Sequence, residues 1–440
     1  MSVQQDGQLL RILVVGGGGR EHAIAWALSK SPSVEKIFCA PGNGGTATMC
    51  TKVENCQPRI ESLEFSQLLQ FAKLNSVNLV VPCPDEPLVR GITDYFRREG
   101  FRVFGPSKQA AQIEGSKCWA KCFMTRHSIP TASYQTFSTP EAAIAYLEDQ
   151  TDQRWVVKAS GLAAGKGVTL VENLTEAIDA VKSLMIDCVF GDAGREIVIG
   201  EFLEGREISM TLMTDGKTWK LFPPGQDTQR IYDGNIGPNT GGMGVIASPD
   251  FLTEREIHEI GFTILEPTIQ GLCQEGFPFV GFICIGLMQT SDGPKLLEYN
   301  ARFGDPEAQA LLPLMDSESD LAALMVSCTK TQLHTVHLGF QTKAAVSVVM
   351  ASHGYPTSYS TGQSITIKHP PQDVLFFHAG TRTVNGKLEG SGGRVLTSVC
   401  LAESMLAAVE GAYKGVDQVS FEGKYYRTDI GRTQGQCTES

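Results

Sequence analysis

The sequence predicts a multidomain protein, α/β at its N-terminus and α+β beyond, and three observations carry that reading. Through roughly the first 110 residues, short apolar runs ending in glycine or proline alternate with helix-patterned segments, as in a parallel α/β unit. From Thr131 the texture changes to strands and helices mixed without that regular alternation. After Leu333 the chain breaks into short strands with turns, one helix and a tail. A length of 440 residues suits two to four domains of about 100–200 residues each.

The first unit opens on the apolar run 11–15, which ends in Gly16-Gly17-Gly18-Gly19 and leads into a helix over 21–30. A strand over 36–40 precedes the loop Pro41-Gly42-Asn43-Gly44-Gly45. Strands over 78–81 and 102–104 stop at Pro82 and at Gly105-Pro106, residues that end pairing. The middle unit reads as a helix over 140–149, a strand over 155–159, a glycine loop, a strand over 168–171, a helix over 175–185 and a strand over 197–201. A strand over 207–213, a long loop over 225–244, a helix over 253–274 and paired strands over 281–289 and 295–303 follow. The last unit carries strands over 344–351, 364–367, 374–381 and 393–397 and a helix near 402–412. No repeat or long linker interrupts these segments, so the domains are expected to pack closely.

Composition narrows the function. A net charge of -11 argues against nucleic acid, whose phosphates need clustered Lys and Arg. No apolar run reaches the length of a bilayer span, and 11–15 is too short for a signal peptide. The twelve cysteines show no CxxC pair, which points to reduced thiols in the cytoplasm. His334 and His337 form the closest histidine pair but lack companion thiols or carboxylates, so zinc is not expected.

Three motifs carry chemistry. In Glu298-Tyr299-Asn300-Ala301-Arg302, alternation on a strand sends Glu298, Asn300 and Arg302 to one face and the other two inward. Two oxygen donors followed by a guanidinium suit a hard cation beside a clamped anion, although a solvated strand face has the same pattern. Lys158 to Gly167 is a strand-ending lysine followed by a glycine-rich hairpin with a second lysine, Lys166. It is not a Walker A loop, because the spacing is one residue short and Gly167 stands where Ser or Thr should be. It can nevertheless lay backbone N–H groups over a polyphosphate. The third motif, Gly16 to Gly19 with Arg20, opens a helix; Glu21 occupies the position of a dinucleotide motif's last glycine, so a monophosphate fits better. A plain structural turn fits nearly as well. Gly200-Glu201-Phe202-Leu203 ends a strand and can present backbone groups to an adenine edge, and Gly237 to Gly244 packs four glycines into eight residues.

The order of these motifs resembles the glycinamide ribonucleotide synthetase (phosphoribosylamine–glycine ligase) family of the ATP-grasp superfamily over essentially the whole chain. Matching segments include Gly17 to Ala23, Ala40 to Ala47, Phe104-Gly105-Pro106, Glu114-Gly115-Ser116-Lys117 and Gly161 to Gly167. Gly237 to Gly244, Arg302 to Glu307, His378 to Thr381 and Gly393 to Leu396 match as well. The resemblance implies an ATP-grasp fold: an N-terminal Rossmann-like domain over 1–112, an ATP-grasp domain over 113–333 with a mobile lid about 131–203, and a small β-rich domain over 334–440. It implies that ATP phosphorylates a carboxylate and that an amine then attacks the acyl phosphate. Glycine and 5-phosphoribosylamine are the expected substrates, in de novo purine synthesis.

The resemblance also implies residue roles. Lys117, Lys158 and the lid residues Gly161, Gly165, Lys166 and Gly167 are expected around the nucleotide phosphates. Glu201 and Leu203 would hold adenine through the backbone, and Glu207 the ribose. Glu298 and Asn300 would bind Mg2+, with Mn2+ as an alternative. Arg302, Lys158 and Asp305 are the expected catalytic groups. Gly18, Gly19, Arg20, Asn43, Gly44, Thr46, Asp227, Asn239, Thr240, Gly241 and Arg394, with Arg302 and Asp305, would face the substrates. Small-molecule partners, no membrane and a monomer or homodimer complete the expectation.

Some positions depart from the family pattern. Cys83-Pro84-Asp85 replaces Gly-Pro-Glu, Gly200 replaces the first Glu of Glu-Glu-Phe-Leu, Thr228-Gln229 replaces His-Lys, and Thr428 replaces a lysine. Fewer cations near a phosphorylated sugar weaken its binding, which opens a second reading: a paralogue joining another amino acid and amine in specialised metabolism. Eukaryotic members are often fused to later purine-pathway domains, and a chain of this length leans slightly to that second reading. A nicotinamide oxidoreductase is disfavoured by Glu21, and a catalytically dead ATP-binding scaffold by the retained Lys158, Glu298, Asn300 and Arg302.

Overall fold

The computed structural model describes residues 8–150, 154–163, 165–248, 251–369 and 371–432. Its first sheet is parallel, with strands Val53–Asn55, Val34–Pro41, Leu10–Gly16 and Leu79–Pro82 side by side in that order. Ile12, Leu13, Val14 and Val15 are all fully buried, because both faces of a parallel sheet are covered. That is why the run is continuously apolar and does not alternate. The edge strand Val53–Asn55, with one buried residue, has no periodicity to reveal it. The expected strand over 102–104 is reduced to a single bridge between Val80 and Val103. The helix Gly19–Ser29 starts earlier than expected, because the Glu21 carboxylate accepts the Gly18 N–H at 2.5 Å and closes its first turn.

A second, antiparallel sheet orders Tyr134–Phe137, Ile197–Glu201, Trp155–Ala159 and Val168–Val171. Trp155, Val157 and Ala159 point to helices Pro140–Glu148 and Leu174–Met185 and form a separate small core with Leu147, Val181 and Leu184. The intervening Val156 and Lys158 face the opposite way.

The largest sheet has ten strands. Its main path runs Gly293–Asn300, Val280–Thr290, Arg206–Asp215, Gly225–Asp227, Gly244–Ala247, Ala344–Ser352, Arg394–Ala402 and Val374–His378. One face, with Met210, Leu212, Ile283, Ile285, Leu287 and Tyr299, packs on the helical segment 254–274. That segment is not a uniform helix: a π turn, Gly261–Leu265, separates Glu254–Ile260 from Glu266–Gln274. Pro267 supplies no N–H for the preceding turn, which accounts for the wider winding. The expected loop 225–244 contains Gly225–Asp227 and the hairpin Arg230–Tyr232/Ile236–Asn239. The expected strand 295–303 stops at Asn300, because the Ala301 N–H leaves the ladder to donate to Glu114 Oε2 at 2.7 Å.

The sheet continues across residue 334, since Ala344–Ser352 pairs with Gly244–Ala247 on one side and Arg394–Ala402 on the other. The expected strand 374–381 ends at His378, and Thr381–Val384 starts a separate hairpin. No described helix is long and apolar enough to cross a membrane.

His22 joins the first unit to these last strands. Its Nδ1 accepts the His378 backbone N–H at 2.9 Å, and its ring packs edge-on to Phe377. Burial, with repulsion from His378, pushes His22 down to about 3 from an ordinary 6.5. A histidine lowered in the folded state stabilises when neutral, so its contribution is complete above pH 6.5 and is lost as pH falls toward 3. We expect this group to remove roughly 2 kcal/mol of stability by pH 5, read from urea midpoints. A His22→Asn variant should lose that part of the pH slope; an unchanged slope refutes the assignment.

Candidate active site

Between the open face of the antiparallel sheet and the polar face of the large sheet lies a cavity of about 980 Å³. Alternation supplies its first wall: Val156, Lys158, Val198 and Gly200 sit opposite the residues that fill the small core. The connecting segment from Glu201 to Arg206 closes one end.

The second wall follows from strand register. Glu298 pairs with Gly286, which pairs with Ser209, while Met288 pairs with Glu207 one step along the same face. Asn300 pairs with Cys284, which pairs with Thr211, one step the other way. Glu207, Glu298 and Asn300 therefore rise from one surface, and Gly286 carries no side chain beside Glu298. A third wall comes from Gln226 to Arg230, Asn239, Arg427 and Asp429.

Charges of opposite sign meet here. Lys158 Nζ donates to the Leu297 carbonyl at 3.4 Å. Burial lowers the Lys158 ammonium below its usual range, while Glu298 pulls it back up. Burial and repulsion from Glu298 push Glu207 up to about 7. Asp227 is held well above the usual carboxylate range by burial and by Glu307 and Glu207. Lys117 opens helix Lys117–Arg126, and its N–H donates to the Ser160 carbonyl at 2.7 Å, tying it to the start of the glycine loop.

The glycine loop crosses the cavity's edge. The Gly161 N–H donates to Ala193 O at 2.9 Å and Gly167 O accepts from Ala159, so both ends are anchored. Gly165, at φ +76, lies so close to the Thr240 carbonyl that a Cβ would stand 2.8 Å from it. Lys166, itself exposed, donates to Pro356 O at 2.7 Å rather than turning into the cavity. At the other end Glu201 Oε2 accepts from Ser133 N and Oγ, and Leu203 is buried in the cavity wall.

Arg302 lies beyond the strand end. Its Nη2 donates to Asn300 Oδ1 at 2.9 Å and pairs with Glu114 Oε1 at 3.1 Å, its Nη1 reaches Phe303 O at 3.3 Å, and its buried Nε has no partner. Asp305 meets Arg394 at 3.1 Å and accepts from Gln309 at 2.7 Å. Against burial, which raises it, Arg394 and Arg20 hold the Asp305 carboxyl below the usual range. Arg394 also donates to Gly241 O at 2.6 Å and Asp305 O at 2.8 Å, so the Thr240–Gly241 segment, Asp305 and the last strands meet at one guanidinium. Gly18 lies beside Asp305, where a Cβ would stand 3.4 Å from its carboxylate. Gly19 starts the helix behind it.

Other expected substrate residues are committed to the fold. Arg20 is buried against Glu21 at 2.6 Å and Phe303 O. Asn43 donates to Gly17, Gly18 and His378 carbonyls. Gly44 N bonds Thr381 O, and Thr46, fully buried, donates to Asn55. Thr240 donates to Gln229 O at 2.7 Å.

Two residues given no role in the sequence reading belong to the neighbourhood. Glu114 buttresses Arg302, and burial pushes its carboxyl up to about 7 while Arg302 pulls it down. Lys121 lines the cavity, donates to Thr131 Oγ1 at 2.5 Å, and is lowered to about 7 by burial and then by Lys158. Lys121 follows Lys117 by one helical turn, a spacing that places both on one face and was the available signal. Among the described residues, buried side-chain atoms without partners include Gln226 Oε1, Asp227 Oδ1, Arg302 Nε and Gln309 Oε1, an unusual concentration of unmet polar groups.

Comparison with known proteins agrees with this architecture. Models of phosphoribosylglycinamide synthetase match in succession: the N domain over residues 10–114, the ATP-grasp (A) domain over 115–308 and the C domain over 345–433. A bifunctional purine biosynthetic protein of Pichia angusta is 46% identical over 424 residues, covering 96% of this chain and 53% of that protein. The chain thus spans about half the length of such curated relatives. A phosphoribosylamine–glycine ligase of Chlorobaculum tepidum is 43% identical over 425 residues, covering 96% of this chain and 99% of the relative. The crystal structure of a Thermotoga maritima phosphoribosylamine–glycine ligase superposes with a TM-score of 0.80 at 33% identity, covering 96% of this chain and all of that one. A biotin carboxylase domain of Hydrogenobacter thermophilus shares the fold alone, with a TM-score of 0.73 at 12% identity, covering 95% and 92% of the two chains. By its matching domains and its full-length likeness to these ligases, the chain belongs to the phosphoribosylamine–glycine ligase (phosphoribosylglycinamide synthetase) family and has the ATP-grasp fold.

Proposed function

We propose that the chain is an ATP-dependent, ADP-forming carboxylate–amine ligase that joins glycine to 5-phosphoribosylamine, giving glycinamide ribonucleotide for purine synthesis. One observation carries the reading: the lid lysine Lys158 and the sheet acids Glu298 and Glu207 line one cavity from two different sheets. A polyphosphate with a bound divalent cation satisfies both sets of charge at once.

The donor set fits such a cation. Glu298 and Asn300 offer a carboxylate and a carboxamide oxygen from one strand face, hard oxygen ligands of the kind Mg2+ takes alongside phosphate oxygens, with Mn2+ as the alternative. When bound there, the ion would screen the charge of the triphosphate. Asn300 Oδ1 now accepts from Arg302, so its turn toward a cation would free one guanidinium N–H for an anionic substrate.

The chain's own groups then do the following. Lys158 and Lys117 neutralise phosphate oxygens, and the Glu201–Leu203 segment carries the adenine. Glu207 holds the ribose. Arg302 orients the carboxylate that attacks the terminal phosphorus, forming the acyl phosphate and releasing ADP. The amine nitrogen then attacks the acyl carbon, and phosphate leaves. The glycine loop, with Gly165 against Thr240 and Lys166 bonded to Pro356, keeps out water that would hydrolyse the intermediate. Asp305, Arg394 and the Gly18 turn shape the acceptor end. In this reading the partners are small molecules, the compartment is the cytoplasm, and the unit is a monomer or homodimer.

A second reading has one observation in its favour. Thr228 and Gln229, neutral where the family motif has His-Lys, both line the cavity. Another amine acceptor, joined to another amino acid, would follow from that loss of positive charge.

Purified protein with Mg-ATP should release ADP only when glycine and phosphoribosylamine are both present; release with a different pair alone would favour the second reading. Glu298→Ala should cut turnover about 100-fold or more, and near-normal ADP formation would refute the metal assignment. Lys158→Met should raise the ATP KM by about 10–100-fold, whereas an unchanged KM removes Lys158 from the nucleotide site.

A further inference from the structure

The carboxylate of Glu114 sits at the join between the parallel N-terminal unit and the large sheet, 7% exposed, on the short helical turn Gln112–Gly115. Its two oxygens do different things. Oε2 accepts the Ala301 backbone N–H at 2.7 Å, which ends the strand bearing Glu298 and Asn300. Oε1 pairs with Arg302 Nη2 at 3.1 Å. One rigid carboxylate thus holds both the backbone before Arg302 and the guanidinium itself. Among the described residues, the other partners of that guanidinium are Asn300 Oδ1 and, at 3.3 Å, Phe303 O. Among the described residues, the charged groups that act on Glu114 are Arg302, Asp85 and Arg20, and of these Arg302 makes an ion pair with it.

We infer that Glu114 is a positioning residue of the ligase: it fixes Arg302, in side-chain direction and in strand register, for the carboxylate substrate. This rests on the proposed function for its kinetic meaning. Were Asn300 to hold a cation, Glu114 would remain as the anchor that stops the long arginine side chain from sampling other rotamers. A flexible arginine would still bind an anion, but in fewer productive poses, so the loss falls on turnover and on the acid substrate rather than on ATP.

The test uses the full chain with Glu114→Gln, Arg302→Ala and the double variant. Glu114→Gln preserves shape and one acceptor but puts an NH2 group against a donor. It should lower kcat about 10–100-fold, with the ATP KM within about threefold, while after Arg302→Ala it should cost less than about twofold more. Glu114→Asp, too short to hold both partners, should behave alike and serves if the Gln variant does not fold. A crystal structure of either variant should show the Arg302 guanidinium displaced. An Arg302 left in its parental place overturns the inference whatever the kinetics, as does an equal loss in the Arg302→Ala background. Absence of turnover by the parent chain on glycine and phosphoribosylamine would sink the proposed function instead, and the crystallographic comparison would still decide Glu114.

Discussion

Lys158 leaves the four-stranded antiparallel sheet on the side away from its own small core and looks across the cavity at Glu298 and Glu207. Bringing a cation and two acids out of bulk water in this way is costly for each group taken alone. Burial acts on both sides, lowering the lysine and raising Glu207, and the opposed charges offset part of that cost. The rest of the structure serves this opposition. Helices Pro140–Glu148 and Leu174–Met185 cover one face of that sheet so that the other stays open. Gly286 leaves room beside Glu298, and the buried apolar face of the large sheet keeps the acidic row in register.

A second cluster organises the far end of the site. Arg394, from a strand late in the chain, reaches Asp305 and the Gly241 carbonyl together. Asn43 and His22 tie the N-terminal glycine loop to the same C-terminal strands. Segments far apart in the chain are joined by a few buried polar contacts, made to backbone carbonyls, a carboxylate and, at His22, a backbone N–H, with little solvent to compete. The Glu114–Arg302 pair is the same device placed beside the sheet acids.

Legibility followed the range of the forces at work. Strands 155–159, 168–171 and 197–201 match their expected spans, since alternation over a half-open sheet is a local pattern. The common face of Glu298 and Asn300 follows from the same two-residue period. The long loop 225–244 was misread because its glycines, several at positive φ, hid a three-residue strand and a hairpin. Lys121 and Glu114 stayed silent because a buried charge looks, in one dimension, like any surface lysine or glutamate.

The sequence by itself determined the mixed fold class, the glycine loops and the alternation that sends Lys158 one way and its neighbours the other, because each depends on residues a few positions apart. It also carried the motif order that marks the family. Only the tertiary structure decided that the large sheet runs on across residue 334, that Arg20, Asn43 and Thr46 are tied up within the fold, and that Arg302 is held from a helix nearly two hundred residues upstream. Those outcomes depend on which distant groups share the interior, where burial strengthens each polar contact and exposes every missing partner, and no local pattern encodes that.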